Sequence, residues 1–349
     1  MTPNPRPPSR SNLIKKASRY RTLSTLLSIL DRYLSWPLPS KPELEIAIPS
    51  QSSKCPGSID LHIFTAPSKG LSSRAQTTKP RPVLINFHGG GFSIGHALDD
   101  SRWATTVLKT YPDAVVISVN YRLAPEHPFP VALDDGTDTI LWLWEHADRY
   151  NLDKTRFCLS GFSAGGNLAL AVPFRLYDEQ SKRSEKISLA GQIAFYPSVD
   201  WTHTRAERNA SNPIAEEKSM ISDSVYWFFD HSYLFAGSLP RVPGGDRVNM
   251  AHPYLSPGRA EESALLEAYA PAVTIYTCAW DQLLVEGDGF RDRLGRLVRE
   301  GKMVSVGGFM VEDVIHGFDK KPSFWRKAPE RERMYSDALR ELGIMWKVG

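Results

Sequence analysis

The stretch Gly161-Phe162-Ser163-Ala164-Gly165 constrains this chain more than any other feature. Glycines on either side of a serine permit a sharp strand-to-helix turn that lifts the serine hydroxyl clear of the backbone. The flanks agree with that geometry. Arg156-Phe157-Cys158-Leu159-Ser160 reads as a short buried strand, and Gly166-Asn167-Leu168-Ala169-Leu170-Ala171-Val172 as the start of a helix. The pattern G-x-S-x-G is loose by itself; a strand before it and a helix after it are what give it meaning.

Earlier in the chain, the apolar run Pro82-Val83-Leu84-Ile85-Asn86-Phe87 ends in His88-Gly89-Gly90-Gly91-Phe92. Glycines after a strand leave backbone N–H groups uncrowded, so they can point at a developing anion. The N–H groups of Gly89, Gly90 and Ala164 are the candidates for an oxyanion hole.

A serine nucleophile needs a base, and the base needs an acid to hold its tautomer. The strand-like run Ala272–Thr277 leads into Cys278-Ala279-Trp280-Asp281, and Met303–Val311 reads as a last strand running on to His316. Asp281 and His316 each follow a strand and are the candidates. Glu286 and Asp288, on a following helix, and Asp313, beside the histidine, compete for the acid. No other histidine follows the last strand: His62 falls in a strand, His146 on a helix face, and His127, His203, His231 and His252 in loop or insert segments.

Together these motifs resemble the hormone-sensitive-lipase-like, HGGG-marked branch of the α/β-hydrolases. The resemblance runs from about Pro80 to the C-terminus. It rests on His88–Phe92, Tyr121-Arg122-Leu123-Ala124-Pro125-Glu126, Ser163-Ala164-Gly165-Gly166-Asn167, Tyr196-Pro197, Asp281 and His316-Gly317-Phe318. It implies an esterase or lipase in which Ser163, Asp281 and His316 form the triad. Gly89, Gly90 and Ala164 would hold the oxyanion, without metal or other cofactor. It further implies that Arg122 and Glu126 are structural ion-pairing groups beneath the site. Two positions depart from the pattern. Phe162 stands where the family usually carries an acid, and Gln282 follows Asp281 where proline is usual. Neither removes a triad member; both bear on rate and substrate preference.

Strand-like runs near 59–64, 83–87, 115–119, 156–160, 190–195, 272–277 and 303–310 alternate with helical stretches near 100–110, 131–149, 165–180 and 283–300. This alternation predicts a mostly parallel sheet with helices on both faces. Residues 200–255 break it and read as a helical insertion, dense in aromatics over Val225–Phe235. Trp201, Trp227 and Phe228 are candidates to line a pocket under it. Leu13, Ile14, Ala17, Tyr20, Leu23, Leu27, Leu30 and Leu34 recur at helical spacing. The expected organisation is a tail and cap helix over 1–50 and a catalytic domain over 51–349, with the insertion completing the cap. Residues 1–10 are expected to be disordered and 66–80 to form a polar loop.

Composition excludes some classes. A formal net charge of +3 on 349 residues argues for neither nucleic acid nor a strongly acidic substrate. The three cysteines, Cys55, Cys158 and Cys278, are scattered and form no metal-binding cluster with histidine. They suit a reducing, cytoplasmic setting. No run is long and apolar enough to span a bilayer. Residues 1–30 are basic and free of acids. A mitochondrial transit peptide and association with a membrane surface are therefore the alternatives to a cap helix.

The expected activity is hydrolysis of neutral short- to medium-chain carboxylic esters through an acyl-enzyme. One alternative is a tailoring hydrolase or acyltransferase of secondary metabolism, cleaving acetyl esters or amides. The other is a small-molecule-binding protein like the plant hormone receptors of this family that have lost the histidine. The retained His316 speaks against that last reading. Oligomeric state is not legible.

Overall fold

The computed structural model describes residues 8–34, 38–67, 79–181, 183, 185–219, 221–235, 249–320 and 328–348. The first seven residues, most of the expected polar loop and part of the insertion lie outside them. The chain begins with a long helix, α1 (Arg10–Leu34), followed by β1 (Leu44–Pro49), β2 (Ser58–Phe64), β3 (Arg81–Phe87), α2 (Ser101–Thr110) and β4 (Val115–Asn120). Next come α3 (Val131–Glu145), α4 (Ala147–Tyr150), β5 (Leu152–Phe162), α5 (Ala164–Gln180) and β6 (Gly191–Phe195). The insertion carries α6 (Arg205–Ser211), α7 (Pro213–Lys218) and α8 (Asp223–Tyr233). The chain then returns through α9 (Glu262–Ala268), β7 (Ala272–Trp280), α10 (Leu284–Arg299), β8 (Ser305–Gly307), β9 (Met310–Ile315) and α11 (Pro329–Val348).

The sheet runs β1-β2-β4-β3-β5-β6-β7-β8, with β9 also paired to β7. The first two pairings, β1 with β2 and β2 with β4, are antiparallel, and the rest are parallel. Every residue of β3 and β6 is buried, as expected of parallel strands covered on both faces. One layer of core unites Leu61, Val83, Ile117, Leu159 and Leu168. The other places Phe162, Phe195 and Tyr276 against Met334, Ala338 and Leu342 of α11.

Several elements differ from the sequence reading, the unexpected helix α9 and the break of the expected helix over 131–149 into α3 and α4 among them. β1 was not expected: its sequence Leu-Glu-Ile-Ala-Ile-Pro alternates, but only an edge pairing with β2 makes it a strand. Helix α11 was also missed, although its stripe of Met334, Ala338, Leu342 and Met345 is buried. The single last strand expected over 303–310 is two short ones, β8 on Ala272–Thr274 and β9 on Thr277–Trp280. Gly308 separates them at a φ of +92°, its Cα lying against the backbone of Ile275 so closely that no Cβ fits.

Candidate active site

Parallel strands of one sheet end along one edge, and the functional residues of such sheets collect there. Ser163 follows β5, Gly89 follows β3, Tyr196 follows β6, Asp281 follows β7 and His316 follows β9. Residues distant in sequence therefore meet.

Ser163 has a φ of 55° and a ψ of −114°, a strained conformation for a residue with a Cβ. The neighbouring glycines make it possible. A Cβ on Gly161 would strike the Gly165 carbonyl, and one on Gly165 would strike those of Phe87 and His88. The Ser163 N–H is tied to the Phe195 carbonyl at 2.9 Å. So held, its hydroxyl donates to His316 Nε2 at 2.7 Å, while His316 Nδ1–H donates to Asp281 Oδ2 at 2.6 Å. The other oxygen of Asp281 accepts from the Leu283 N–H at 3.0 Å. The Asp281 carbonyl and that of Ala279 accept from the Asn212 amide, both at 2.9 Å. The arrangement has the connectivity of a nucleophile, a base and an acid that fixes the base's tautomer.

The competing acids are engaged elsewhere. Glu286 forms a buried ion pair with Arg208 at 2.8 Å, and burial raises its carboxyl above the ordinary value. Asp288 pairs with Arg291, and Asp313 is exposed at a φ of 55°.

Gly89 lies directly beside the serine: a Cβ there would stand 3.5 Å from that of Ser163. Gly90 turns the chain at a φ of +115° and Gly91 at +57°. The backbone N–H groups of Gly89, Gly90 and Ala164 make no hydrogen bond among the described residues, leaving three donors for an anion near Ser163. His88 stabilises this loop from behind. Its ring stacks on Tyr121 at 4.2 Å, its Nδ1 lies 2.7 Å from the Gly89 carbonyl, and the Tyr121 hydroxyl donates to its carbonyl at 2.8 Å. Burial pulls its imidazole below the ordinary value, against the pull of Asp99 and Asp100.

The position taken by Phe162 has its own electrostatics. The Lys320 ammonium sits 3.3 Å from the centre of the Phe162 ring, and bonds to Asp100 at 2.6 Å and Asp319 at 3.3 Å. Tyr196 and Tyr335 both donate to Asp319, at 2.5 and 2.7 Å. Burial alone would pull Lys320 down, but Asp100 and Asp319 outweigh it and hold the ammonium above its ordinary value. This cluster anchors the segment just after His316, whose ring also meets the edge of Tyr196 at 4.9 Å. Sequence reasoning did not find Lys320, Asp319 or Asn212. The first two follow His316-Gly317-Phe318 directly, which was the available signal; Asn212 lies in the insertion and had none.

A cavity of about 470 Å³ opens over Ser163 and His316. Its walls come from the sheet edge and from two helices far apart in sequence: Tyr20, Leu23 and Leu27 of α1, and Val225, Tyr226 and Phe229 of α8. The helices meet where Leu13 and Ala17 pack on Phe228. Of the three aromatics considered for the lining, only Trp201 is there. Phe228 faces α1 instead, and Trp227 lies under the Lys16 ammonium at 4.8 Å. Phe229 lines the cavity and rests against Gly91, where no Cβ would fit. Arg122 pairs with buried Asp135 at 2.6 Å and Glu126 with Arg21 of α1 at 2.7 Å, the structural roles expected of them. The cysteines are free, with Cys158 and Cys278 buried, and no metal-binding cluster occurs among the described residues.

Fold and site together define an α/β hydrolase. A family model described as the α/β hydrolase fold matches residues 84–320, and the chain belongs to this family, that of the hormone-sensitive-lipase-like esterases. Among curated proteins it is similar to the esterase LipI of Mycobacterium tuberculosis, 31% identical over 68% of this chain and 65% of that protein. It is also similar to probable carboxylesterase 6 of Arabidopsis thaliana, 31% identical over 66% of each chain. The matched stretch thus spans a little under two thirds of these relatives' length. Among solved structures, an esterase of the fungus Rhizomucor miehei superimposes with a TM-score of 0.73 at 25% identity, covering 95% of this chain and 91% of that one.

Proposed function

We propose that the protein is a serine carboxylesterase acting on neutral esters with short or medium acyl groups. The observation that carries the reading is the Ser163–His316–Asp281 chain, at 2.7 and 2.6 Å, beside three unengaged backbone N–H groups. In this reading His316 takes the Ser163 proton as the hydroxyl oxygen attacks the ester carbonyl. Asp281 keeps Nδ1 protonated and stabilises the imidazolium that forms. Gly89, Gly90 and Ala164 receive the oxyanion; one such donor is worth about 3–4 kcal/mol. His316 then protonates the departing alkoxide, leaving an acyl-serine. Water, deprotonated by the same imidazole, attacks that acyl group and releases the acid.

The acyl preference is supported by the mainly apolar walls from α1 and α8. In the same reading, α1 and the insertion over 200–255 form a cap on the catalytic domain. The test is turnover of p-nitrophenyl esters from acetate to laurate by the wild type and by Ser163→Ala and His316→Ala. Turnover favouring the shorter chains and abolished in both variants is expected. Folded wild type that turns over none of them rules out this reading in favour of a narrow tailoring enzyme or a binding protein.

A further inference from the structure

Helix α1 carries two different faces. Its inner face is pinned at several points. Leu13 and Ala17 pack on Phe228; Arg10 donates to the carbonyls of Pro125 and Glu126; Arg21 reaches Glu126 and the carbonyls of Ser93 and Ala124. Ser28 donates to Asp99, and Asp31 is paired with Arg102 at 2.8 Å.

The outer face is less engaged, its Lys16 ammonium lying over Trp227 at 4.8 Å. Of the fourteen large apolar side chains exposed among the described residues, seven lie on α1, and three of these, Leu23, Leu26 and Leu34, form a row on the outer face. At about 100° per residue, Leu23, Leu26, half-buried Leu30 and Leu34 share one sector about 100° wide with Lys15, Lys16 and Arg19. The cations occupy its N-terminal half and the leucines its C-terminal half. Lys15 and Arg19 are exposed and in no ion pair among the described residues. The only acid on the helix, Asp31, lies on the inner side with Arg102. The leucine row adjoins the cavity, since Leu23 of the row and Leu27 at its side also line it.

An exposed apolar row bordered by exposed cations suits an interaction surface. A protein partner would have to match both the leucines and the cations. An anionic lipid surface satisfies both at once: leucines enter the acyl boundary while lysine and arginine meet phosphate and carboxylate headgroups. We propose that the outer face of α1 docks the protein on anionic membranes. The cavity mouth then faces the leaflet, and esters dissolved in lipid reach Ser163 without crossing water. That last consequence rests on the esterase reading; the docking itself does not. No helix among the described residues is long and apolar enough to cross a membrane, so the contact is peripheral.

Flotation with vesicles of phosphatidylcholine alone, and of phosphatidylcholine with three parts in ten phosphatidylserine, tests the docking. Binding to the anionic vesicles about tenfold above the neutral ones, and weakened by salt, is expected. The pairs Lys15→Glu/Arg19→Glu and Leu26→Gln/Leu34→Gln, which do not line the cavity, should each lower it about tenfold. Turnover of soluble p-nitrophenyl butyrate should stay within about twofold in both variants. Equal binding to neutral vesicles, or binding kept in both variants, overturns the proposal. So does a concentration-dependent dimer on gel filtration that the leucine pair dissolves while vesicles go unbound; the face then belongs to a second copy. Flotation without any ester turnover leaves the docking in place and removes the esterase reading alone.

Discussion

The edge of the sheet and the two helices above it are built on different principles. At the edge, positions are fixed by backbone: Ser163 is wedged between glycines that admit no Cβ, and Asp281 is buried with both carboxylate oxygens engaged. Above it, the wall depends on side chains of α1 and α8, of which Leu23 and Leu27 are about half exposed. The contrast separates chemistry from selection. Bond making belongs to a frame that cannot shift without disrupting the core, whereas the shape of the cavity can change through side chains that little else depends on.

The largest expected effect is at the edge. Ser163→Ala and His316→Ala should each lower kcat by about 10⁴-fold or more, with Tm nearly unchanged, in ester turnover and thermal unfolding. Residual turnover within tenfold of wild type would place the nucleophile elsewhere. Asp281→Asn should lower kcat by about 10³–10⁴-fold by favouring the wrong imidazole tautomer; a drop of only a few-fold would show that the geometry around Leu283 and Asn212 orients His316 without the charge.

The frame should show its dependence on Lys320 through stability. Asp319 is held below its ordinary value: burial opposes this, and Lys320 with the two tyrosines outweighs it. That group adds stability above the ordinary carboxylate value, and the contribution is lost as pH falls through its depressed value. Asp100 is raised by burial in spite of Lys320, and opposes it. In Lys320→Met both carboxyls rise, so the stability they lend is present only at low pH and is lost on going upward. The variant should be less stable than wild type by about 3 kcal/mol at pH 8 and by less at pH 5. Thermal unfolding at the two pH values reads this, and a deficit independent of pH would mean the loss is of packing on Phe162.

The smallest effects should fall on the wall and leave the chemistry alone. Phe229→Ala should shift the preferred p-nitrophenyl ester towards longer acyl chains, with kcat on the acetate changed by no more than about threefold. A uniform fall across all esters would break the division between frame and wall.

The same division explains what the sequence discloses. Gly161, Gly165 and Gly90 are legible because only glycine fits where backbones touch or φ is positive, and such demands leave a mark at fixed spacing. Asp281 and His316 are legible because each follows a strand. The wall leaves no such mark. Trp227, Phe228 and Phe229 are neighbours in sequence, yet only the helix's rotation against α1 decides that Phe229 lines the cavity and Phe228 packs on Leu13. Asn212 holds the Asp281 turn from an insertion whose path no local pattern announces. Strand β1 depends on an edge pairing, which periodicity over six residues cannot predict.

The most direct test of the frame is covalent. A fluorophosphonate probe places a tetrahedral phosphorus where the acyl carbon would sit, and fluoride leaves as the serine oxygen bonds. Intact-mass and peptide analysis should show one adduct per chain, on Ser163, absent from Ser163→Ala and much slowed in His316→Ala. A folded protein that takes no adduct, or takes it on another residue, would contradict the account.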